Sequence, residues 1–326
     1  MREFSFATAA TVGEALDLSS DSATAFLAGG TTLVDLMKLN VLQPRRVLDI
    51  NALPLRQITP DAAGLTVGSG TRMSDLADHP EVERDFGLIT EALLAGASQQ
   101  LRNMASVGGN LLQRTRCSYY RDVGSACNRR EPGSGCAAIT GSNRMHAILG
   151  TSTACVATHP SDLAVALLAS DAIVHVAGTD GPRAIPIGEF YYPPGDSPDV
   201  ETALRAGELI TAVRIPRPQA GTRAAYVKVR DRASYEFALA SAAVRLVVSD
   251  GIIAAAGVAV GGVATIPWRL PGVEESLVGR PAAPGHFETA VASATSGARA
   301  LEHNAFKIPL LERTLLRAIE KVVEMP

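Results

Sequence analysis

The chain has 326 residues, a mass of 34.0 kDa and 47% apolar residues, so it can build two or three packed domains. A formal net charge of −3 and an aromatic content of 5% give no indication of nucleic-acid binding, either through phosphates or through base stacking. The N-terminus lacks the apolar core of a signal peptide and no stretch reaches the ~18 apolar residues of a membrane helix, so we expect a protein made in the cytoplasm without membrane insertion.

The sequence pattern of residues 1–52 predicts a small βαβ-like unit. Thr11 and Glu14 have the spacing of a capping box, in which the two side chains satisfy free backbone amides at a helix start. That first helix is expected to end at about Leu18. The strands and the second helix of the unit are predicted at AFLAGG (25–30), TLVDLMKLN (32–40) and RRVLDI (45–50).

Residues 53–216 predict a second region, which contains an irregular insert at about 112–160. The insert is rich in Gly, Ser, Arg and Pro and has neither helical nor strand periodicity. A long helix is predicted from about Phe86 to Met104, followed by the turn SVGGN (106–110). The other regular elements of this region are predicted at LTVGSG (65–70), RMSDLADH (72–79), DLAVALLASDA (162–172) and AIVHVAG (172–178).

The last third of the chain predicts a separate α+β domain over residues 222–326. It follows a linker, PRPQAGTR (216–223), and begins with three segments whose alternation is typical of antiparallel strands. Asp250-Gly251 predicts the hairpin turn between the second and third of these strands. Three helical patterns complete the domain, at PGVEESLVG (271–279), HFETAVASATSGA (286–298) and LLERTLLRAIEKVVE (310–324).

Three glycine turns lie in the first 110 residues, at Gly29-Gly30, Gly68-Ser-Gly-Thr71 and Gly108-Gly109. A glycine lets the backbone approach a ligand closely, and the start of a helix offers unpaired N–H groups to an anion. None of the turns is a P-loop or a G-x-G-x-x-G sequence, and each one alone is explained by a tight strand–helix connection. Together they favour a large cofactor that carries phosphate.

The stretches AGGTTLVDLMK, GSGTRMSDLA and MASVGGNL resemble, in order and separation, the signatures of the FAD-binding (medium) subunit in the xanthine dehydrogenase and carbon monoxide dehydrogenase family, whose members are molybdenum hydroxylases. The resemblance implies an α+β fold: a two-part FAD-binding domain of the PCMH (vanillyl-alcohol-oxidase-like) type, then a smaller flavoprotein C-terminal domain. It implies that the first turn holds the FAD pyrophosphate, that SVGGN lies along the ribityl and flavin region, that Asp162 accepts a hydrogen bond from cofactor hydroxyls and that Lys228 stands near the isoalloxazine. The cofactor-binding residues carried over in this way are Leu27, Ala28, Gly29, Gly30, Thr31, Thr32, Leu33, Thr71, Ala105, Ser106, Gly108, Gly109, Asn110, Asp162, Ile210 and Lys228.

All four cysteines of the chain lie in the insert, at Cys117, Cys127, Cys136 and Cys155. Their gaps of nine, eight and eighteen residues contain no C-x-x-C, so spacing leaves open two disulfides, a structural zinc or an iron–sulfur cluster. The absence of a secretory signal and the size of the domain disfavour disulfides. In relatives the GGN turn runs almost directly into a Ser-Asp-Leu helix, whereas here the insert separates the two.

The insert, with CNRREPGSGCAA (127–138) and THPSD (158–162), resembles the aldehyde oxidoreductase branch of the family, whose flavin subunit carries an extra 4Fe–4S cluster. The resemblance implies that the four cysteines ligate such a cluster. His146 and His159 are expected to form hydrogen bonds rather than to ligate. The basic residues nearby are expected either to offset the charge of a cluster or to form a solvated face, and they are Arg114, Arg116, Arg129 and Arg130.

The resemblance implies an electron-transfer subunit of a heterotrimeric molybdenum aldehyde oxidoreductase. Its partners are then a molybdenum-cofactor large subunit and a 2Fe–2S small subunit, and FAD passes their electrons to an external acceptor. The chain alone is not expected to oxidise aldehydes. Two alternatives are the flavin subunit of a hydroxybenzoyl-CoA-reductase-like enzyme and a zinc-pinned nucleotide-binding scaffold. The complex is expected in the cytoplasm, or in the periplasm after co-export with a partner that carries a twin-arginine signal.

Overall fold

The computed structural model describes residues 1–19, 21, 23–283 and 285–325. Its N-terminal part is a parallel three-stranded sheet in the order β1-β3-β2, with one helix after each of the first two strands. The elements in chain order are β1 (Ser5–Thr8), α1 (Val12–Leu18), β2 (Thr24–Leu27), α2 (Leu33–Lys38) and β3 (Arg46–Asp49).

The predicted capping box forms at the start of α1. The amide of Glu14 donates to Thr11 Oγ1 at 3.1 Å, and the Glu14 carboxylate accepts from the amide of Ala10 at 2.8 Å. The predicted order strand, helix, strand over β2, α2 and β3 is also confirmed. The sequence prediction missed β1, a short strand whose residues are mostly exposed and therefore give little hydrophobic signal.

The second sheet is antiparallel and has five strands, namely β4 (Ile58–Asp61), β5 (Gly64–Gly68), β6 (Ile173–Gly178), β7 (Gly181–Pro186) and β8 (Leu209–Pro216). Their spatial order is β4-β5-β8-β6-β7, so β8 returns to the centre of the sheet between segments that precede the insert and segments that follow it. The helices of this region are α3 (Met73–Ala77), α4 (Pro80–Asp85), α5 (Gly87–Ala95), α6 (Gln99–Met104), α7 (Val107–Leu111), α8 (Ser118–Arg121), α9 (Asp162–Ala169) and α10 (Ile187–Phe190).

The prediction of one helix from Phe86 to Met104 is wrong, because two helices, α5 and α6, meet at a break. Ala97 has a φ of 51°, which ends helical geometry, and Gly96 before it costs little to place outside a helix. Ser98 then caps α6 by accepting a hydrogen bond from the amide of Leu101 at 3.4 Å. A local turn of this kind leaves the apolar pattern almost uninterrupted, so periodicity alone does not reveal it.

The third sheet is antiparallel, with strands β9 (Thr222–Val229), β10 (Ala240–Ser249), β11 (Ile252–Gly261) and β12 (Trp268–Arg269) in the order β12-β11-β10-β9. Asp250 and Gly251 have φ values of 50° and 76°, as a type I′ hairpin turn requires. Three helices follow, and together with the sheet they bury a core that includes Val244, Val258 and Leu315. They are α11 (Pro271–Leu277), α12 (Phe287–Ala292) and α13 (Lys307–Val323).

Helix α9 packs against the third sheet and against helices of the second region. All eight of its residues are buried, and its neighbours include α5, α7 and α10 as well as β10 and β11. The start of α9 is therefore fixed between the two regions, which places Asp162 at their boundary. Within the described residues no helix is both long and apolar enough to span a membrane.

Candidate functional site

Two neighbouring cavities hold the predicted cofactor-binding residues. The larger, which we call the Lys228 cavity, has a volume of about 540 Å³; the smaller, the Ile210 cavity, has about 240 Å³. Thr31, Thr32 and Gly109 line both, so the cavities meet at the two glycine turns. Of the sixteen predicted residues, all line one cavity or the other except Leu27 and Thr71.

The first glycine turn is packed directly on the end of α6. A Cβ atom on Gly29 would lie 2.0 Å from the carbonyl oxygen of Met104, so only glycine fits there. Asn51 Nδ2 donates to the carbonyl oxygen of Ala28 at 2.9 Å and fixes the turn from the other side. The turn is thus held rigidly while its backbone faces the cavities.

The second and third glycine turns support each other. The amide of Gly108 donates to Ser69 O at 2.8 Å, and the amide of Val107 donates to Thr71 O at 2.9 Å. A Cβ atom on Gly108 would lie 2.9 Å from Ser69 Cβ, which explains the glycine. Thr71 lies behind the cavity wall rather than on it, and its buried hydroxyl oxygen has no hydrogen-bond partner in the part of the chain that the structure describes.

The sequence predicted a turn at SVGGN, but in the structure these residues begin helix α7. Ser106 is its N-cap, and Ser106 Oγ accepts from the amide of Gly109 at 3.1 Å. Asn110 Oδ1 then accepts from Ser161 Oγ at 2.6 Å, and Ser161 caps α9 through the amide of Ala164 at 3.0 Å. The two ends of the insert therefore meet in space, although 51 positions separate Asn110 from Ser161.

A buried ion pair closes the far wall of the Lys228 cavity. Lys228 Nζ lies 2.8 Å from Asp162 Oδ2 and donates also to the carbonyl oxygen of Ala95 at 3.1 Å. The other carboxylate oxygen accepts from the Tyr226 hydroxyl at 2.6 Å. Only 4% of the Lys228 side chain and 10% of the Asp162 side chain are exposed. The lysine charge expected at the flavin is consequently balanced by the carboxylate that was expected to bind cofactor hydroxyls.

Sequence analysis did not single out Tyr226, although its signal was present. In YVKV the residues Tyr226 and Lys228 are two positions apart on one strand, so both side chains point to the same face. Burial, followed by the charge of Asp162, raises the pKa of the Tyr226 phenol, so it stays a neutral donor. The sequence did not show which residue the Tyr226 hydroxyl would contact, since Asp162 lies on another element.

The four cysteines converge on one small cavity, which Tyr120 and Arg129 also line. A short hairpin brings Cys127 and Cys136 opposite each other, and Cys117 stands directly before α8. All four are free thiols, so the disulfide alternative is wrong for this structure. Burial raises the pKa of Cys117 to about 11, so a metal centre there would have to displace protons from the thiols.

The cysteine cavity is not built for a single ion. Among the described residues no three His, Cys, Asp or Glu side chains form a group that could hold one metal ion. A tetrahedral zinc with Zn–S bonds of ~2.3 Å would need its sulfurs within about 4 Å of each other. The structure thus brings four thiols to one cavity without arranging them around a metal ion among the described residues.

The two histidines of the insert form hydrogen-bond contacts, as predicted. His146 Nε2 lies 3.1 Å from Cys117 Sγ, and burial lowers the pKa of His146 to about 4. His159 Nδ1 accepts from the amide of Ser161 at 3.3 Å. His146 is therefore a neutral side chain in direct contact with one of the cysteines.

The arginines of the insert do not form a solvated face. Arg114 and Arg129 both pair with Glu201, at 2.7 and 3.0 Å, and Arg130 donates to the carbonyl oxygens of Tyr119 and Tyr120. Arg116 reaches Asp35 on α2 at 3.4 Å. These contacts tie the insert to its neighbours on several sides.

The cavities fit FAD. The two cavities adjoin at Thr31, Thr32 and Gly109, and glycine turns contribute to the walls of both. Pockets of this size that contain a few convergent polar groups are typical of cofactor sites.

Comparisons with known proteins match both parts of the chain to described domains. Residues 2–218 match the family described as the FAD binding domain in molybdopterin dehydrogenase, and residues 224–322 match the CO dehydrogenase flavoprotein C-terminal domain. The aldehyde oxidoreductase FAD-binding subunit PaoB of Escherichia coli is 49% identical over 292 residues, which are 89% of this chain and 88% of that protein. The glyceraldehyde dehydrogenase medium chain of Sulfolobus acidocaldarius is 28% identical over 280 residues, 85% of this chain and 82% of the relative.

Solved structures show the same fold. Carbon monoxide dehydrogenase from Hydrogenophaga pseudoflava has a TM-score of 0.79 at 24% identity, with 98% of this chain and 97% of that chain covered. The predicted fold class, an FAD-binding domain followed by a flavoprotein C-terminal domain, is confirmed.

Proposed function

Because the chain belongs to the family of FAD-binding subunits of molybdopterin dehydrogenases, we propose that it holds FAD across the Lys228 and Ile210 cavities as part of an aldehyde oxidoreductase complex. The observation that carries this proposal is that the glycine turns and the Asp162–Lys228 pair line two adjoining cavities, which share Thr31, Thr32 and Gly109. Residues 1–52 and 53–216 are then the two parts of the FAD-binding domain, and residues 222–326 are the C-terminal domain.

In this proposal the chain binds and orients the cofactor rather than reacting itself. Backbone amides from Ala28 to Leu33 donate to the pyrophosphate, and the start of α7 at Ser106–Asn110 lies along the ribityl chain. Bound FAD supplies chemistry that the side chains lack, since it accepts and passes on electrons singly or in pairs. Lys228 borders the isoalloxazine ring, and its charge is balanced by Asp162, which also accepts from Tyr226. Because these side chains are already in place, they need not reorganise when the flavin changes charge.

We further propose that Cys117, Cys127, Cys136 and Cys155 ligate a 4Fe–4S cluster. Two observations support this: the thiols are free, and all four line one cavity. Arg129, which is 8% exposed, contacts that cavity and supplies positive charge beside the thiolates.

Electron routing and partners follow from the same family relationship. The chain would receive electrons from a molybdenum-cofactor large subunit through a 2Fe–2S small subunit and deliver them to an external acceptor. A hydroxybenzoyl-CoA-reductase-like role, with flow toward molybdenum, differs in the partner's active site rather than in this chain.

The test is purification of the full chain with its partners under anaerobic conditions. We expect one flavin per chain released on denaturation, and iron and acid-labile sulfide each near four per chain in excess of the partners' content. A colourless chain without flavin would contradict the FAD proposal. One zinc per chain without iron would replace the cluster by the zinc-pinned alternative and leave the FAD proposal standing.

The variant Cys127→Ser separates the two cofactors. Cys127 is buried in the cysteine cavity and lines neither the Lys228 nor the Ile210 cavity. We expect loss of the iron and of its visible absorption, with flavin content that falls less. Unchanged iron would show that the cysteines are not the ligands.

A further inference from the structure

The insert forms part of the wall of the Lys228 cavity. Gln113, Arg116 and Arg121 line it together with Thr31 and Thr32 of the first glycine turn. The cysteines themselves lie elsewhere, around their own cavity. The insert therefore does more than gather four thiols, because it also completes the space in which the cofactor is expected.

The positively charged side chains that line this cavity outnumber the carboxylates that line it. Arg121 donates to both oxygens of Asp35, at 2.7 and 3.0 Å, which uses this carboxylate in a bidentate pair. Arg116 Nη1 reaches the same carboxylate only at 3.4 Å. Elsewhere on the cavity wall the charges balance: Lys228 pairs with Asp162, and the lining also contains one further arginine and one glutamate, Arg232 and Glu236. One positive charge, that of Arg116, remains without its own anion.

Arg116 also carries an unused hydrogen-bond donor. Its Nε is buried and has no hydrogen-bond partner within the described residues. The guanidinium lies over the ring of Phe237, with 5.1 Å between Cζ and the ring centroid, so the side chain is held in place rather than free in solvent. A guanidinium held in this way with an unpaired donor gains from an anionic acceptor.

The position of Arg116 identifies which part of a dinucleotide it would meet. Asp35 lies in the first turn of α2, immediately after the Thr31–Leu33 stretch of the glycine turn. Arg116 pairs with Asp35 at 3.4 Å and lines the Lys228 cavity together with Thr31 and Thr32, so it borders the same space as the first glycine turn. Phosphate is the group that guanidinium binds best in such a setting, through paired N–H···O bonds.

We propose that Arg116, supplied by the insert, binds the phosphate groups of FAD together with the first glycine turn. Asp35 and Arg121 position it. This inference rests on the proposed FAD binding, and it assigns to the insert a role in cofactor retention that is independent of any metal.

The experiment compares flavin binding by the full chain, freed of flavin, in the wild type, Arg116→Gln, Arg116→Lys and Arg144→Gln. Arg144 is the matched control, since it lies in the insert, pairs with Asp231 at 2.7 Å and does not line the Lys228 cavity. The probes are FAD and riboflavin, which lacks phosphate, and their dissociation constants are measured by flavin fluorescence at two salt concentrations.

We expect Arg116→Gln to weaken FAD binding by roughly 10- to 100-fold, as for loss of a charged hydrogen bond, and to leave riboflavin binding within about twofold. Arg116→Lys should keep part of the affinity and the salt dependence, and Arg144→Gln should match the wild type. An equal loss for FAD and riboflavin, or no loss for either, overturns the proposal. A wild type that binds neither flavin removes the FAD proposal together with this one.

Discussion

Replacement of Asp162 by Asn tests whether its buried ion pair with Lys228 stabilises the packing of helix α9 against the third sheet. The variant keeps the size of the side chain but leaves the lysine, 4% exposed, without its counter-charge, and it weakens the acceptor of the Tyr226 hydroxyl. Removal of one partner from a buried ion pair costs about 3–5 kcal/mol, because the remaining charge stays desolvated.

The expected fall in melting temperature follows from the chain length. An unfolding entropy of about 2.1 cal/mol/K per residue gives about 0.7 kcal/mol/K for 326 residues that unfold in one transition. A loss of about 3–5 kcal/mol therefore lowers Tm by about 4–7 °C. Calorimetry on the flavin-free chain measures this without interference from cofactor binding.

A double-mutant cycle gives the decisive result. Lys228→Met alone leaves an unpaired carboxylate, whereas Asp162→Asn with Lys228→Met removes both charges, so the double variant should be more stable than the sum of the single losses predicts. Strictly additive losses would refute the coupling and with it the reasoning from burial. The cycle requires no assumption about the role of the pair at the flavin.

Three further predictions concern other sites. Gly29→Ala should weaken FAD binding by about tenfold or more, since its Cβ would lie 2.0 Å from Met104 O. Gly87→Ala is the control, because the space around its Cβ is open. Retained affinity in both variants would contradict the packing explanation. Burial, and then the charge of Arg144, lowers the pKa of Lys307 from the usual 10.5 to about 7. Because the unfolded chain then binds more protons between about pH 7 and 10.5, the free energy of unfolding should rise with pH across that window. Lys307→Met should abolish this rise in denaturation curves recorded at several pH values. If the cluster is present, His146→Leu should lower its reduction potential in an EPR titration, while His146→Gln should keep it closer to the wild type. The reason is that His146 Nε2 lies 3.1 Å from Cys117 Sγ, where an Nε2–H tautomer would donate to the thiolate. Equal potentials in the two variants would exclude that role.

Much of the local structure is encoded within short windows. Thr11 and Glu14 define a helix start by their spacing, and Asp250-Gly251 defines a hairpin by its tolerance of positive φ. These are interactions among neighbours in sequence or restrictions on a single residue, so pattern reads them correctly. The need for glycine at position 29 comes instead from the distant Met104, and the break at Gly96 and Ala97 is hidden because the apolar pattern continues across it.

The cysteine pattern alone did not decide what the thiols do. Spacing left disulfides, zinc and a cluster open, because the segment between cysteines has no fixed geometry. The tertiary structure removed the disulfides and brought the four thiols to one cavity.

The sequence by itself determined the capping box of α1, the hairpin turn at Asp250-Gly251 and most of the candidate residues, because propensity and spacing act over a few positions. Only the tertiary structure decided that Asp162 neutralises Lys228, that Asn110 meets Ser161 across the insert and that Arg116 lines the Lys228 cavity beside Asp35. Each of these contacts joins segments more than fifty positions apart, and the packing of whole sheets and helices sets which side chains come together. A charge read along the chain therefore has a known sign but an unknown partner until the fold supplies it.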